Sequence, residues 1–300
     1  MISVIIPTLN GASRIPNLIA SLRRQTVKNI EVIVIDSESE DGTARVASAL
    51  CCAVYPITRR RFDHGGARNF GADHASGDIL VFLTQDALPI SPEFLARLTA
   101  PIDGHFTAAA YARQIPADGA TPTEAFAGLY NYPEESSLRH ISRVERRTLR
   151  TFFFSNAASA VSRACFEKVG RFPAPVATNE DMLLCARLLD AGYQIAYVAE
   201  AKVIHSHHFS LSALFRRYLR IGEVLSEHSE TFRSERSSGE GLDFVRREIA
   251  HLHRIGRSEL IPGALTEAAV KALGYHCGHA LQRARSLMRA QHASQSTTRN

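Results

Sequence analysis

Three hundred residues, 45% of them apolar, carry enough hydrophobic surface for one large core with an appendage. No run approaches the roughly eighteen apolar residues of a membrane-spanning helix, and five cysteines without paired spacing exclude a disulfide scaffold and fit free thiols in a reducing cytoplasm. The net charge of +5 is unevenly placed: residues 1–209 hold 21 Lys and Arg against 21 Asp and Glu, whereas residues 210–300 hold 14 against 9.

The chain opens on a β-branched run, residues 2–6, with no basic segment before it, so an export signal is not expected. Ile15, Leu18, Ile19 and Leu22 then recur at helical spacing, with Ser13 as a cap and Pro16 in the first turn. Residues 32–35 read as a second buried strand, 43–50 as a helix, 53–57 as a third strand, 67–75 as a helix and 79–83 as a fourth strand. Ser91-Pro92-Glu93 sets a cap, a proline and an acid in order at the start of another helix. Strands alternating with helices predict an α/β fold whose parallel sheet is covered by helices on both faces.

Residues 113–150 lose this rhythm. They are polar, carry Pro116, Pro122 and Pro133, and include the basic cluster Arg143, Arg146, Arg147 and Arg150. A loop-rich insert of this kind carries specificity more often than core. Order returns with Phe152-Phe153-Phe154-Ser155-Asn156. A helix is predicted from Glu180 to Ala191, ended by Gly192, and a strand over 194–198, followed by His205-Ser206-His207-His208. Beyond 210 the pattern is helical. Leu242, Val245, Ile249 and Leu252 share a face, and Arg246, Arg247, His251 and Arg254 lie off it, which makes a basic amphipathic helix. Its charge suits either a solvated face or contact with an anionic surface. The tail, 291–300, is rich in Ser, Thr and Gln and reads as disordered.

Acids at strand ends and helix starts are the candidates for chemistry. Asp86 follows the fourth strand at the sheet edge where ligands bind in open α/β sheets. It suits a hard cation, Mg²⁺ or Mn²⁺, bridging a diphosphate, and His205 and His207 can add an imidazole. Asp36, ending the second strand, is placed either to hydrogen-bond a nucleotide or to cap a turn. Asp41 reads as a turn or cap residue. Glu180-Asp181 opens a helix, where an ionised acid can act as a general base or simply balance the helix dipole. Arg59, Arg60, Arg61 and Arg68 frame His64-Gly65-Gly66-Ala67, a combination suited to phosphate. Neither a G-x-G-x-x-G after the first strand nor a G-x-x-x-x-G-K-[ST] is present, which removes most dinucleotide oxidoreductases and P-loop enzymes.

Together these segments resemble the family 2 inverting glycosyltransferases of the GT-A fold. The resemblance rests on Val4-Ile5-Ile6-Pro7-Thr8-Leu9-Asn10, on Ile33-Val34-Ile35-Asp36-Ser37 with Asp41-Gly42-Thr43, on Gly66-Ala67-Arg68-Asn69, on Ala75-Ser76-Gly77-Asp78 and on Glu180-Asp181. Within the family, Thr84-Gln85-Asp86-Ala87, Phe154-Ser155-Asn156 and His205-Ser206-His207 followed by Arg216-Arg217-Tyr218 are similar to bacterial rhamnosyltransferases of surface polysaccharide assembly. The resemblance implies a Rossmann-like, mostly parallel sheet over 1–209, with a nucleotide half to 112 and an acceptor half after it, and a helical extension over 210–290. Pro7, Thr8, Asn10, Asp36, Arg68, Gln85 and Asp86 are implied to hold the nucleotide-sugar, with Arg68 on phosphate or positioning Asp86. Asp86, His205 and His207 are implied to hold Mg²⁺ or Mn²⁺, and Asp181, beside Glu180, to be the base. The implied reaction is transfer of L-rhamnose from dTDP-rhamnose, or of a sugar from a UDP or GDP donor, to a glycan or lipid-linked glycan. The expected setting is cytoplasmic, with peripheral contact at the inner membrane and no nucleic acid. A nucleotidyltransferase and a nucleotide-binding partner subunit of little activity are the other classes. Two positions depart from the family pattern: Thr84 replaces the first acid of Asp-x-Asp, and Asn10 stands where many members carry an acid.

Overall fold

A computed structural model describes residues 1–144, 147–206, 209–232 and 238–297, with side chains up to residue 289 apart from those of Arg61 and Ser238. The β-branched runs become strands as their period dictates. Strands β1 (Ile2–Thr8), β2 (Ile30–Asp36), β3 (Ala53–Pro56) and β4 (Ile79–Leu83) alternate with helices α1 (Ile15–Arg23), α2 (Thr43–Ala49) and α3 (His64–Asp73). They pair in parallel in the order β3-β2-β1-β4. Period-two alternation splits their side chains between two faces. Val4, Ile6, Val34, Val81 and Leu83 pack with Ile15, Leu18 and Leu22 of α1, Ala47 of α2, and Phe94 and Leu98 of α4 (Phe94–Thr99). Across the sheet, Phe82 meets Phe166 and Phe172, with ring centroids 5.9 and 5.0 Å apart.

Beyond β4 the sheet is mixed rather than purely parallel. It continues through β8 (Ala158–Ser162), β6 (Thr107–Ile115), β9 (Gln194–Ile204) and β5 (Leu88–Pro89), and β7 (Ser137–Arg139) also pairs with β9. Strand β8 runs antiparallel to both neighbours, while β6 and β9 are parallel. The insert expected to be loop contains part of β6, all of β7 and helix α5 (Pro122–Asn131). That helix begins with a full capping box between Thr121 and Glu124. Helices α6 (Arg163–Lys168) and α7 (Glu180–Asp190) complete this part of the chain.

Contacts divide the chain into two compact units. The first holds 1–146, 150–176 and 180–207; the second holds 208–300 with the short segments 147–149 and 177–179. The sequence placed the division at 209/210. Within the second unit lie α8 (Leu211–Glu227), α9 (Ser238–Arg254) and α10 (Ile261–Thr297). Helices α8 and α10 approach so closely that a Cβ at Gly278 would overlap the Leu219 carbonyl, so only glycine permits the contact. On α9, Leu252 is fully buried, Val245 and Ile249 are partly buried, and Leu242 is 61% exposed, so the apolar face is covered only towards its end. Helix α10 continues through 291–297, where disorder was expected. Among the described residues no helix is long and apolar enough to cross a membrane, and all five cysteines are free thiols.

Candidate active site

The register of β1 and β2 sets Pro7 opposite Ile35 and Thr8 opposite Asp36, so both strands end together at the ligand-binding edge of the sheet. Asp36 is 4% exposed there. Its Oδ1 accepts from the hydroxyls of Thr8 (3.1 Å) and Ser39 (2.6 Å), and its Oδ2 accepts from the Ser39 N–H (3.0 Å). Of about four acceptor positions on a carboxylate, three are engaged. In this state Asp36 therefore shapes the loop after β2, the turn-holding alternative left open by the sequence. Asn10, in the left-handed region at φ 50°, bonds that same loop through its N–H to Ser39 Oγ (2.9 Å) and through Oδ1 from Glu40 N–H (3.0 Å). Asp41 accepts from the N–H groups of Ala12 (2.9 Å) and Thr43 (3.0 Å), as a turn residue does.

Gln85, expected on the donor, closes both ends of its amide on the backbone of Leu9: Nε2 donates to the carbonyl at 3.0 Å, and Oε1 accepts from the N–H at 3.1 Å. Gln85 thus braces the β1 loop against the β4 loop. Gly11 makes room for this brace, since a Cβ there would overlap Gln85 Oε1.

Asp86 follows directly, and His205 approaches it from the end of β9 with Nε2 3.5 Å from Asp86 Oδ1. His205 Nδ1 is 2.8 Å from Gln114 Oε1, and Gln114 Nε2 donates to Ser155 Oγ at 2.8 Å. An imidazole backed by an amide oxygen, with its other nitrogen turned towards a carboxylate, is a donor pair suited to a divalent cation. Among the described residues no three His, Cys, Asp or Glu side chains converge on one point. A cation here would rely on Asp86 and His205 together with diphosphate and water, as Mg²⁺ sites commonly do. His207, also expected as a ligand, lies outside the described residues. Thr84, in place of the first acid, donates its N–H to the Ala157 carbonyl at 3.1 Å.

The acid pair opens α7. Glu180 is buried and ion-paired with Arg68 of α3 at 3.0 Å. Arg68 also donates to the His64 carbonyl at 2.9 Å. Arg68, expected on phosphate or positioning Asp86, is held here by burial, Glu180 and the His64 carbonyl. Asn156 serves both acids: its Nδ2 donates to Glu180 Oε1 and its N–H to Asp181 Oδ2, each at 3.2 Å. The Met182 N–H donates to Asp181 Oδ1 at 2.9 Å, and Ser159 Oγ fixes the Asn156 amide at 2.9 Å. Burial, seconded by the charge of Glu180, raises the Asp181 pKa well above the ordinary carboxylate range, to about 7. The two N–H bonds and Arg68 pull the other way without cancelling this. A partly exposed carboxylate poised near neutrality, and held by two backbone donors, is equipped to accept a proton.

Comparison with known proteins decides the family: residues 3–170 match the glycosyl transferase family 2 model. The chain belongs to glycosyltransferase family 2. It is 35% identical over 281 residues to the O-antigen chain rhamnosyltransferase RfbN of Salmonella typhimurium, covering 92% of this chain and 89% of that one. To the O-antigen chain rhamnosyltransferase WbaN of Salmonella anatum it is 34% identical over 279 residues, covering 92% and 88%. Among solved structures, the mannosyltransferase PcManGT of Pyrobaculum calidifontis, in complex with GDP-Man and Mn2+, matches with a TM-score of 0.59 at 20% identity, over 96% of this chain and 79% of that one. S. aureus TarS 1-349 in complex with UDP-GlcNAc matches with a TM-score of 0.57 at 18% identity, over 94% and 91%. The fold is that of the GT-A glycosyltransferases, and this member of family 2 is a glycosyltransferase. Asn156, which holds both acids, is legible in sequence only as the end of the Phe154-Ser155-Asn156 motif, and Gln114, which holds His205, is not singled out there at all.

Proposed function

We propose that this glycosyltransferase transfers L-rhamnose from dTDP-rhamnose, with inversion, to a glycan or lipid-linked glycan during polysaccharide assembly. The reading is carried by Asp181, a carboxylate with a raised pKa that Asn156 and Met182 aim from the start of α7. The sugar comes from the likeness to the two Salmonella rhamnosyltransferases.

Asp181 takes the proton from an acceptor hydroxyl as that oxygen forms its bond to the anomeric carbon. The bond from the anomeric carbon to the diphosphate oxygen breaks on the opposite side, so a single displacement inverts the centre. The β1 and β2 loops, shaped by Thr8, Asn10, Asp36 and Gln85, frame the nucleotide. Asp86 and His205, with His207 as a further candidate, hold Mg²⁺ or Mn²⁺. When bound, the cation supplies charge neutralisation for the leaving diphosphate.

The decisive measurement is a donor screen on the purified chain with Mn²⁺ present. The expected result is a rise in melting temperature with dTDP-rhamnose and transfer that Asp181→Asn abolishes. A response to UDP- or GDP-sugars alone overturns the donor assignment. Asp181→Asn transferring at the wild-type rate overturns the assignment of the base. An anionic membrane is the proposed partner of residues 210–300, and the cytoplasmic face of the inner membrane is the proposed location. Leu273, Leu281 and Leu287 are exposed on α10, with Arg283 and Arg285 among them. Salt-sensitive binding to anionic liposomes supports this partner, and equal binding to neutral ones removes it.

A further inference from the structure

We propose that Gln114 is a positioning residue for the cation-holding pair, fixing the His205 ring so that Nε2 presents its lone pair to the ion held with Asp86. The proposal rests on the reading of Asp86 and His205 as ligands. Gln114 stands near the end of β6, in register with Val203 of β9, and is buried. The His205 backbone N–H is already tied to the Ile115 carbonyl at 3.0 Å, which fixes the root of the side chain but not the ring. Gln114 supplies the missing restraint at 2.8 Å.

An amide oxygen cannot donate, so the network assigns the proton to Nδ1. In a neutral imidazole the lone pair then lies on Nε2, the atom 3.5 Å from Asp86 Oδ1. The amide itself is oriented by Ser155, whose Oγ accepts from both Gln114 Nε2 (2.8 Å) and the Ala157 N–H (3.4 Å). Ser155 precedes Asn156, the residue that holds Glu180 and Asp181. One dipeptide therefore anchors the outer partner of the cation pair on one side and the base on the other. An outer partner of this kind typically contributes ten- to hundred-fold in metal affinity.

The test is Mn²⁺ binding to the full chain with dTDP present, followed by electron paramagnetic resonance of the free ion. Gln114→Leu and the shorter Gln114→Asn, which cannot reach Nδ1, are expected to weaken Mn²⁺ binding about ten- to hundred-fold. Their kcat should recover towards wild type at saturating Mn²⁺. Gln114→Glu restores affinity, because its carboxylate accepts the same Nδ1–H. Unchanged Mn²⁺ affinity in both the Leu and the Asn variants overturns the proposal, as does a kcat loss that added Mn²⁺ cannot repair. Asp86→Ala separates the two readings. If it abolishes Mn²⁺ binding while the Gln114 variants do not, only the role of Gln114 fails. If Asp86→Ala binds Mn²⁺ as wild type does, the ligand reading fails and the role of Gln114 falls with it.

Discussion

The Arg68 guanidinium lies 3.0 Å from the Glu180 carboxylate, and the two side chains are only 4% and 7% exposed. A pair so deeply buried leans on further hydrogen bonds, from Arg68 to the His64 carbonyl and from the Asn156 amide to Glu180, although the buried Arg68 Nε finds no partner. Removing one partner leaves the other charge stranded. Arg68→Met is expected to lower unfolding free energy by roughly 3–5 kcal/mol in urea titrations, and adding Glu180→Gln should recover part of that loss. Arg68→Lys should not restore the wild-type value, since an ammonium cannot reproduce the guanidinium fork.

The same pair tunes the proposed base, Asp181. The charge of Glu180 is one of the two causes that raise the Asp181 pKa, and Arg68 opposes it. A base at Asp181 must be ionised to act, so the proposal predicts that kcat/KM rises with pH through an apparent pKa of about 7. Glu180→Gln removes a negative neighbour and leaves the positive charge of Arg68 uncompensated. Both effects favour the ionised form, so the ascending limb should move to lower pH. A pH–rate profile of the variant checks the direction, and a limb that moves upward contradicts it.

Stability carries the same sign. Asp181 binds its proton more tightly when folded than at its ordinary value of 3.8, so the contribution it makes when protonated is lost as pH rises from about 4 to about 7. Asparagine mimics the protonated form and does not titrate. Asp181→Asn should therefore melt close to wild type near pH 4 and above it at pH 8, the gap opening across that window. Thermal unfolding at several pH values reads this directly, and it is independent of any activity assay.

The fold was legible in the sequence where strands are β-branched. Strands β1, β2 and β4 announce themselves as Ile and Val runs, and α1 by its apolar spacing. Strands β6 and β8 are built on Ala108, Ala109 and Ala110 and on Ala158 and Ala160, whose small side chains give almost no period-two signal although all are buried. That silence hid the antiparallel β8 and made a mixed sheet look parallel. In the site, the sequence already shows Asp86 just past a strand and Asp181 at a helix start, because strand and helix ends position them. Where Arg68, Gln85 and Asp36 point is not legible there, because their partners are set by packing between distant segments. The capping box at Thr121 and Glu124 was a readable sign of α5 inside the region taken as loop.

The brace between Gln85 and Leu9 offers a test of whether the proposed donor loop needs to be held in advance. Its two hydrogen bonds are each worth about 0.5–1.5 kcal/mol, so their loss should weaken dTDP binding by roughly one to two powers of ten if loop order is required. Gly11→Ala attacks the same brace from the other side, because its Cβ would overlap Gln85 Oε1 and lie 3.0 Å from Cδ. Titration calorimetry with dTDP should show both single variants, Gln85→Ala and Gly11→Ala, weakened. In the Gln85→Ala background the obstructing amide is gone, so Gly11→Ala should add little further loss. Fully additive losses would mean that Gly11 acts independently of the room it leaves for Gln85.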